Sequence, residues 1–255
     1  MKKACQIIAA LLLAMKVFSQ SAEELMQKSA DAIEFNSMEM SATLKITDAK
    51  GSERVRQIVS AEKRFGEINK RIMKFTAPAE IKGTGIVIFD YEEKNDEMWL
   101  YLPALRKVRR IVNNEKSKSF MGSEFSNADM SKPNLSDFNH KLLDSEIINR
   151  KDCWKIESVC KNEEIAAEMG YAKKISFIEK GTNLCQQVQT FDAGNSLLKT
   201  EVLGQYKKQP DGKYFAFLIT IKNEQNNRSS MFTIDRFQPG SGMKEEDFSP
   251  LMLDK

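Results

Sequence analysis

Ser123, Asp137 and His140 are the only residues of this 255-residue chain that could assemble a histidine-based nucleophile site, because His140 is its single histidine. In such a site the serine attacks a carbonyl, the imidazole takes its proton and the carboxylate orients the ring. Ser123 sits in FMGSEF, without the glycine-flanked elbow that exposes such a nucleophile. The sequence therefore argues against an enzyme and reads His140 as an ordinary strand or surface residue. With one histidine there is no Cys/His zinc set, and no metal is expected. Gly83 and Gly85 in KGTGIVIF lack the third glycine and the following helix of a dinucleotide fingerprint. They suit a backbone bend leading into a strand, and no cofactor is expected. Glu124, Asp129 and Asp137 read as solvated loop acids.

Recognition chemistry is better represented. The stretch EMWLYLPALRKVRRI, Glu97 to Ile111, sets aromatic and aliphatic bulk before Pro103 and cations after it. As a strand it places Met98, Leu100 and Leu102 on one face and Trp99 and Tyr101 on the other. Arg106, Arg109 and Arg110 beyond the proline suit a carboxylate, a phosphate head group or an acidic partner surface, or a strand edge protected by charge. The methionines, among them Met38, Met40, Met73, Met98 and Met121, suit either an apolar surface that adapts to its ligand or a core that fills gaps.

These residues need elements to position them. Lys2 and Lys3 precede an apolar run from Ile7 to Met15, which is too short to cross a bilayer and reads as a secretory signal peptide over residues 1–19. Cys5 lies too early to be the lipid-modified residue after cleavage, so the mature chain is expected to be soluble and periplasmic. Loss of Lys2, Lys3 and Lys16 leaves 36 basic residues against 36 acidic ones, a balance that excludes a general nucleic-acid binder. Cys153 and Cys160, seven apart in one expected strand, face opposite sides and cannot pair with each other. A bridge from either to Cys185 stays open.

Ser21 followed by Glu24 and then by Leu25, Met26, Ala30 and Ile33 predicts a capped amphipathic helix. Met38, Met40, Ala42, Leu44 and Ile46 alternate with polar residues and predict a half-buried strand. Phe215, Phe217, Ile219 and Ile221 share a face of a later one. About ten strands are expected, mostly antiparallel neighbours, with a break in the pattern from Asn113 to Ser136. A break of that length inside a compact unit usually covers something. One domain over residues 20–255 follows, its sheet curled over a helix or into a barrel around an apolar cavity.

The segments FTAPAEIKGTGIVIFDY (Phe75 to Tyr91), EMWLYLPALRKVRRI and SFMGSEFSNADM (Ser119 to Met130) resemble the outer membrane lipoprotein-sorting protein family of LolA-like type. The similarity continues in order to DFSPLML near the C-terminus. It implies an α+β, mainly β fold: an incomplete, curved antiparallel β-barrel with helices covering an apolar cavity. It also implies a carrier of lipoproteins or lipids between the inner and outer membranes, and no enzyme activity.

The expected function is thus a soluble periplasmic carrier that binds the acyl chains of lipoproteins or lipids and passes them towards the outer membrane. Its partners would be an inner-membrane exporter, an outer-membrane acceptor or both. Trp99, Leu100, Tyr101 and Leu102 are assigned to the cavity wall or rim, and Arg106, Arg109 and Arg110 to a head group or partner. Phe120, Met121 and Phe125 are assigned to a mobile cover. The alternative is an accessory module of a membrane lipid exporter with no cargo of its own. Against the hydrolase reading, the purified protein should turn over ester substrates no faster than background, and Ser123→Ala and His140→Ala should leave that rate unchanged. A product burst lost in both variants would reverse this assignment.

Overall fold

The computed structural model describes residues 20–254 apart from 93 and 133; the signal segment assigned to residues 1–19 lies outside the described residues. Helix α1 (Ala22–Ala32) begins as expected. The Ser21 hydroxyl accepts from the Glu24 amide at 3.1 Å, and the Glu24 carboxylate accepts from the Ser21 amide at 3.3 Å. These bonds satisfy two of the amides a helix start leaves unpaired.

Thirteen strands follow, three more than the sequence pattern suggested. They are β1 (Ser37–Thr47), β2 (Glu53–Phe65), β3 (Ile68–Ala77), β4 (Gly85–Tyr91), β5 (Glu97–Leu102) and β6 (Lys107–Ile111). The second group is β7 (Phe138–Ile148), β8 (Lys151–Cys160), β9 (Lys173–Glu179), β10 (Cys185–Phe191), β11 (Leu197–Lys208), β12 (Tyr214–Asn223) and β13 (Ser229–Pro239). Two further short helices, α2 (Asn113–Lys116) and α3 (Glu163–Met169), were also not expected. All strands lie in one curved antiparallel sheet, in the order β6-β5-β4-β3-β2-β1-β13-β12-β11-β10-β9-β8-β7. The sheet is therefore two up-and-down meanders, β1 to β6 and β7 to β13, zipped together by β1 against β13, where Leu44 faces Phe232 and Ala42 faces Ile234. It does not close, and β6 and β7 are its free edges.

The strands alternate faces, and the inner face of the first meander is the core. Ala42, Leu44 and Ile46 of β1, Ile58 of β2, Met73 and Phe75 of β3, and Ile86 and Ile88 of β4 pack there with Met98 and Leu100 of β5. The outer face of β3 to β5 is apolar too. Ile72, Val87, Trp99 and Tyr101 are covered by the C-terminal segment through Phe248 and Leu253. Gly85 permits that cover, since a Cβ there would lie 2.7 Å from the Leu253 side chain.

The connection from β6 to β7 is the stretch without alternation, and it runs across the concave face. Phe120, Phe125 and Met130 enter the core from it, exposed by only 0, 4 and 6 %. The cover expected of Phe120 and Phe125 is thus corrected to a plug. Phe120 lies tilted against Phe75 and Phe125 edge-on to Phe232, with centroids 5.9 and 5.0 Å away, and Met121 alone of the three is half-buried. The sheet holds the plug by its backbone. Arg56 donates to Met121 O, Arg228 to Gly122 O at 2.9 Å, and Ser230 Oγ accepts from the Glu124 amide at 2.9 Å. Glu124 is buried rather than solvated, with its carboxylate 2.7 Å from Arg228 and bonded to Asn223 Nδ2 at 2.9 Å.

A second anchor lies at the far end of the plug. Arg71 bridges the Glu62 carboxylate and Met130 O, and burial of these charges is tolerable because each has a partner. Asp90 beside them is less well served. One oxygen accepts from the Lys132 amide at 3.4 Å, and the other has no hydrogen-bond partner. Burial raises its pKa to about 7, Arg71 opposing the rise and Asp96 and Glu62 adding to it.

Two outcomes follow from this packing. Phe120→Ala should cost about 3–5 kcal/mol in denaturant unfolding, the range for truncating a buried phenylalanine; a cost below about 1 kcal/mol would mean the plug is not part of the core. Because Asp90 holds its proton more tightly folded than unfolded, the folded state binds more protons between about pH 4 and 7, and stability falls as pH rises through that window. Asp90→Asn should flatten the decline and raise stability near pH 8 by on the order of 1 kcal/mol. An unchanged pH profile would overturn the assignment.

Candidate functional site

Packing of the concave face is uneven along the sheet. Under β1 to β6 the plug fills it. Under β10 to β13 it is only half covered, and the inward side chains Leu203, Phe215, Phe217, Ile219 and Phe237 are all half-buried. The register puts them side by side: Leu203 faces Ile219, Ile219 faces Phe232, and Lys207 faces Phe215. The face shared by Phe215, Phe217, Ile219 and Ile221 is legible in the sequence, but its part in the site is not. Alternation was the available signal; that this face lacked a covering partner was not visible locally.

Aromatic rings form the floor at one end. Phe215 and Phe237 stack at 3.8 Å, and Phe35, just after α1, meets them edge-on at 6.0 and 5.2 Å. Lys207 Nζ lies 4.0 Å from the Phe217 ring centre at the rim. The helix is tied to this end through Lys213 of the β11–β12 turn, which donates to Asp31 O at 2.7 Å. The opposite side of α1 packs Leu25 and Met26 against Ile156, Ile178 and Trp154.

At the other end of the same strands the face becomes polar. A chamber of about 160 Å³ is lined by Ser126 and Asp129 of the plug, Tyr171, Val188, Thr190, Lys199, Glu201 and Ile221. Lys199 Nζ donates to Glu124 O at 2.5 Å, and Asp129 accepts from the Ser126 amide at 2.7 Å. Thr190 Oγ1 is buried without a partner. Burial drives the Glu201 pKa to about 7; Asp129 adds to the rise, and Lys174 and Lys199 oppose it. Next to Glu201, burial lowers the Lys174 ammonium, which lies 4.5 Å from the Phe138 ring centre, and raises the Tyr171 hydroxyl.

The residues assigned from sequence lie elsewhere. Leu100 and Leu102 point into the filled half of the concave face, while Trp99 and Tyr101 point to the outer face beneath the C-terminal segment. Arg109 pairs with Glu115 at 2.7 Å and Arg110 with Glu97 at 3.1 Å. Arg106 sits at a left-handed φ of 48° in the β5–β6 turn, and among the described residues neither it nor Lys107 has an acidic partner. Leu105, Val108 and Val112 are exposed around them, so β6 is an edge strand carrying both cations and apolar side chains.

The serine and histidine are not assembled. Ser123 Oγ, 1 % exposed, donates to Phe120 O at 2.7 Å. The ring nitrogens of His140 are taken by Ser158 Oγ at 2.8 Å and Leu135 O at 3.0 Å. Cys153, Cys160 and Cys185 are free thiols, and no helix among the described residues is long and apolar enough to cross a membrane.

Comparison with known proteins agrees with this architecture. A family model described as "Uncharacterized protein" matches residues 67–255. Among curated proteins none matches. Of solved structures, an outer membrane lipoprotein-sorting protein domain from Vibrio parahaemolyticus is 25% identical, with TM-score 0.85 over 92% of this chain and 98% of that one. A DUF1329 family protein from Desulfovibrio piger is 23% identical, with TM-score 0.84 over 91% and 97%. A LolA superfamily protein from Nitrosomonas europaea, 16% identical, shares the fold with TM-score 0.71 over 91% and 98%. The open thirteen-stranded sheet with its covering helix and the match over residues 67–255 lead to one conclusion: the chain belongs to the family of that model, and its fold is the one found in an outer membrane lipoprotein-sorting protein domain and a LolA superfamily protein.

Proposed function

We propose that the protein is a periplasmic carrier of the acyl chains of lipoproteins or lipids, delivered across the inner membrane by its signal segment and passing cargo towards the outer membrane. The observation that carries this reading is the half-covered apolar face formed by Leu203, Phe215, Phe217, Ile219 and Phe237 in a sheet whose other half is fully packed. Burying chain methylenes there would give about 0.8 kcal/mol each, a non-directional attraction that suits cargo of varied chain length. A cleft formed by loose packing also lets cargo leave when a partner competes for it. The relatives' descriptions as lipoprotein-sorting and LolA superfamily proteins support the same role.

Handover needs a surface, and the β5–β6 hairpin is the best candidate. It ends in exposed Leu105 beside the unpaired Arg106 and Lys107, a combination that fits an anionic head-group layer or an acidic partner. Arg109 and Arg110, already paired with Glu115 and Glu97, would tune this edge rather than bind through it. An exporter-accessory module without cargo would use the same hairpin but would not need the open face.

The two readings separate in one experiment. Ile219→Gln and Phe217→Ser should weaken binding of a fluorescent long-chain fatty acid several-fold and change stability by about 1 kcal/mol or less, since neither side chain is fully packed. Leu100→Ala should cost about 2–5 kcal/mol and leave affinity nearly unchanged. Failure of the native protein to bind the probe saturably would favour the accessory module.

A further inference from the structure

Resting on the carrier reading, we propose that the chamber lined by Asp129, Tyr171, Thr190 and Glu201 is a head-group subsite for a lipid ending in a primary ammonium, whose hydrocarbon lies along Leu203, Ile219 and Phe217.

The strands themselves link the two halves of such a ligand. On β11, Lys199, Glu201 and Leu203 point to the same side, and on β12 Asn223, Ile221, Ile219 and Phe217 do so opposite them. Glu201 faces Ile221, and the next inward pair is Leu203 with Ile219, about 7 Å further along the strand. A polar group in the chamber thus continues directly into the half-covered apolar face. The chamber's 160 Å³ is several times the roughly 10–15 Å³ of free space that one water needs, room for a short aminoalkyl head.

The choice of ammonium follows from the chamber's unmet hydrogen-bonding capacity. Thr190 Oγ1 is buried without a partner, and among the described residues neither the Glu201 carboxylate nor the Tyr171 hydroxyl makes a side-chain hydrogen bond. Asp129 uses one oxygen on the Ser126 amide. Each of these groups has acceptor capacity to spare, and R–NH₃⁺ brings three donors and no acceptor. A carboxylate ligand would instead add a negative charge beside Asp129 and Glu201.

The groups facing Glu201 are Asp129 from the plug, Lys174 on β9, Cys185 on β10, Lys199 and Tyr206 on its own strand and the nearby Tyr171. Lys199 is committed to Glu124 O, and Lys174 lies against Phe138. With Glu201 near pH 7 in its titration, an ammonium would favour its ionised form and release a proton on binding.

The test uses the mature protein and three decyl amphiphiles below their micelle-forming concentrations: decylammonium, decyltrimethylammonium and decanoate, measured by calorimetry near pH 5.5 and pH 8. The expected result near pH 8 is that decylammonium binds about tenfold more tightly than either of the others, the size of one charge-assisted hydrogen bond. The preference should shrink near pH 5.5, and proton release should appear as buffer-dependent heat. Glu201→Gln should abolish both effects, and Thr190→Val, which keeps the shape, should reduce the preference; their melting curves establish that both variants are folded. Equal binding of all three amphiphiles would overturn the head-group assignment and leave the carrier reading intact, and tighter binding of decanoate would overturn it in favour of a cationic site. No binding of any would overturn the subsite together with the carrier reading.

Discussion

An open sheet of thirteen strands has one concave apolar face and no way to bury it against itself. Everything else in the fold answers that constraint. Closing the sheet would remove its edges, but here β6 and β7 stay unpaired, and the chain joining them must cross the concavity. That crossing becomes the plug, with Phe120, Phe125 and Met130 inserted and its carbonyls bonded to Arg56, Arg71 and Arg228. Helix α1 supplies a second cover, which packs on β8 and β9. Neither cover reaches the inner face of β10 to β13 completely, and the half-buried row from Leu203 to Phe237 is what remains.

The plug explains why so many charges lie inside. The plug pairs only part of its own carbonyls and amides, and leaving the rest unpaired in an apolar interior costs more than bringing in side chains to bond them. Arginine is suited to the task, because its guanidinium offers several donors and stays charged when desolvated. Two of the imported cations have an acid nearby, Glu62 beside Arg71 and Glu124 beside Arg228. Asp90 and Glu201 are the groups this arrangement serves worst, and both titrate near neutrality for the same reason, burial with too few donors.

Much of the fold was legible because it rests on local rules. The Ser21–Glu24 capping box, the alternation from Met38 to Ile46 and the shared face from Phe215 to Ile221 each follow from neighbours a few residues apart. Strand number was underestimated because strands such as LLKTEVLGQYKK, now β11, meet a half-open interior and so lack clean alternation. Placement of the site was not legible for a related reason. Trp99 to Leu102 looked the strongest apolar segment, and its strength comes from being covered on both faces, by the plug inside and by Phe248 and Leu253 outside. Apolar density in a sequence reports how much must be buried, whereas a binding face is where burial is left incomplete, and that depends on partners distant in the chain.

Segregating the two states along one sheet resolves a conflict inherent in carrying greasy cargo. A protein with an apolar hollow loses the packing contacts that would line it, and the deficit grows with the size of the hollow. Here the first meander is packed along its inner face, and across β3 to β5 on its outer face as well, and supplies stability independent of ligand, while the second meander carries the uncovered surface. The shared β1–β13 seam keeps the second in register: Leu44 and Ala42 are anchored in the filled half while their partners Phe232 and Ile234 border the open one. In the proposed carrier role, cargo would enter and leave without asking the filled half to repack. The polar end of the proposed ligand would meet the chamber at Thr190 and Glu201, so the geometry that tolerates an empty cleft would also give a bound amphiphile one orientation.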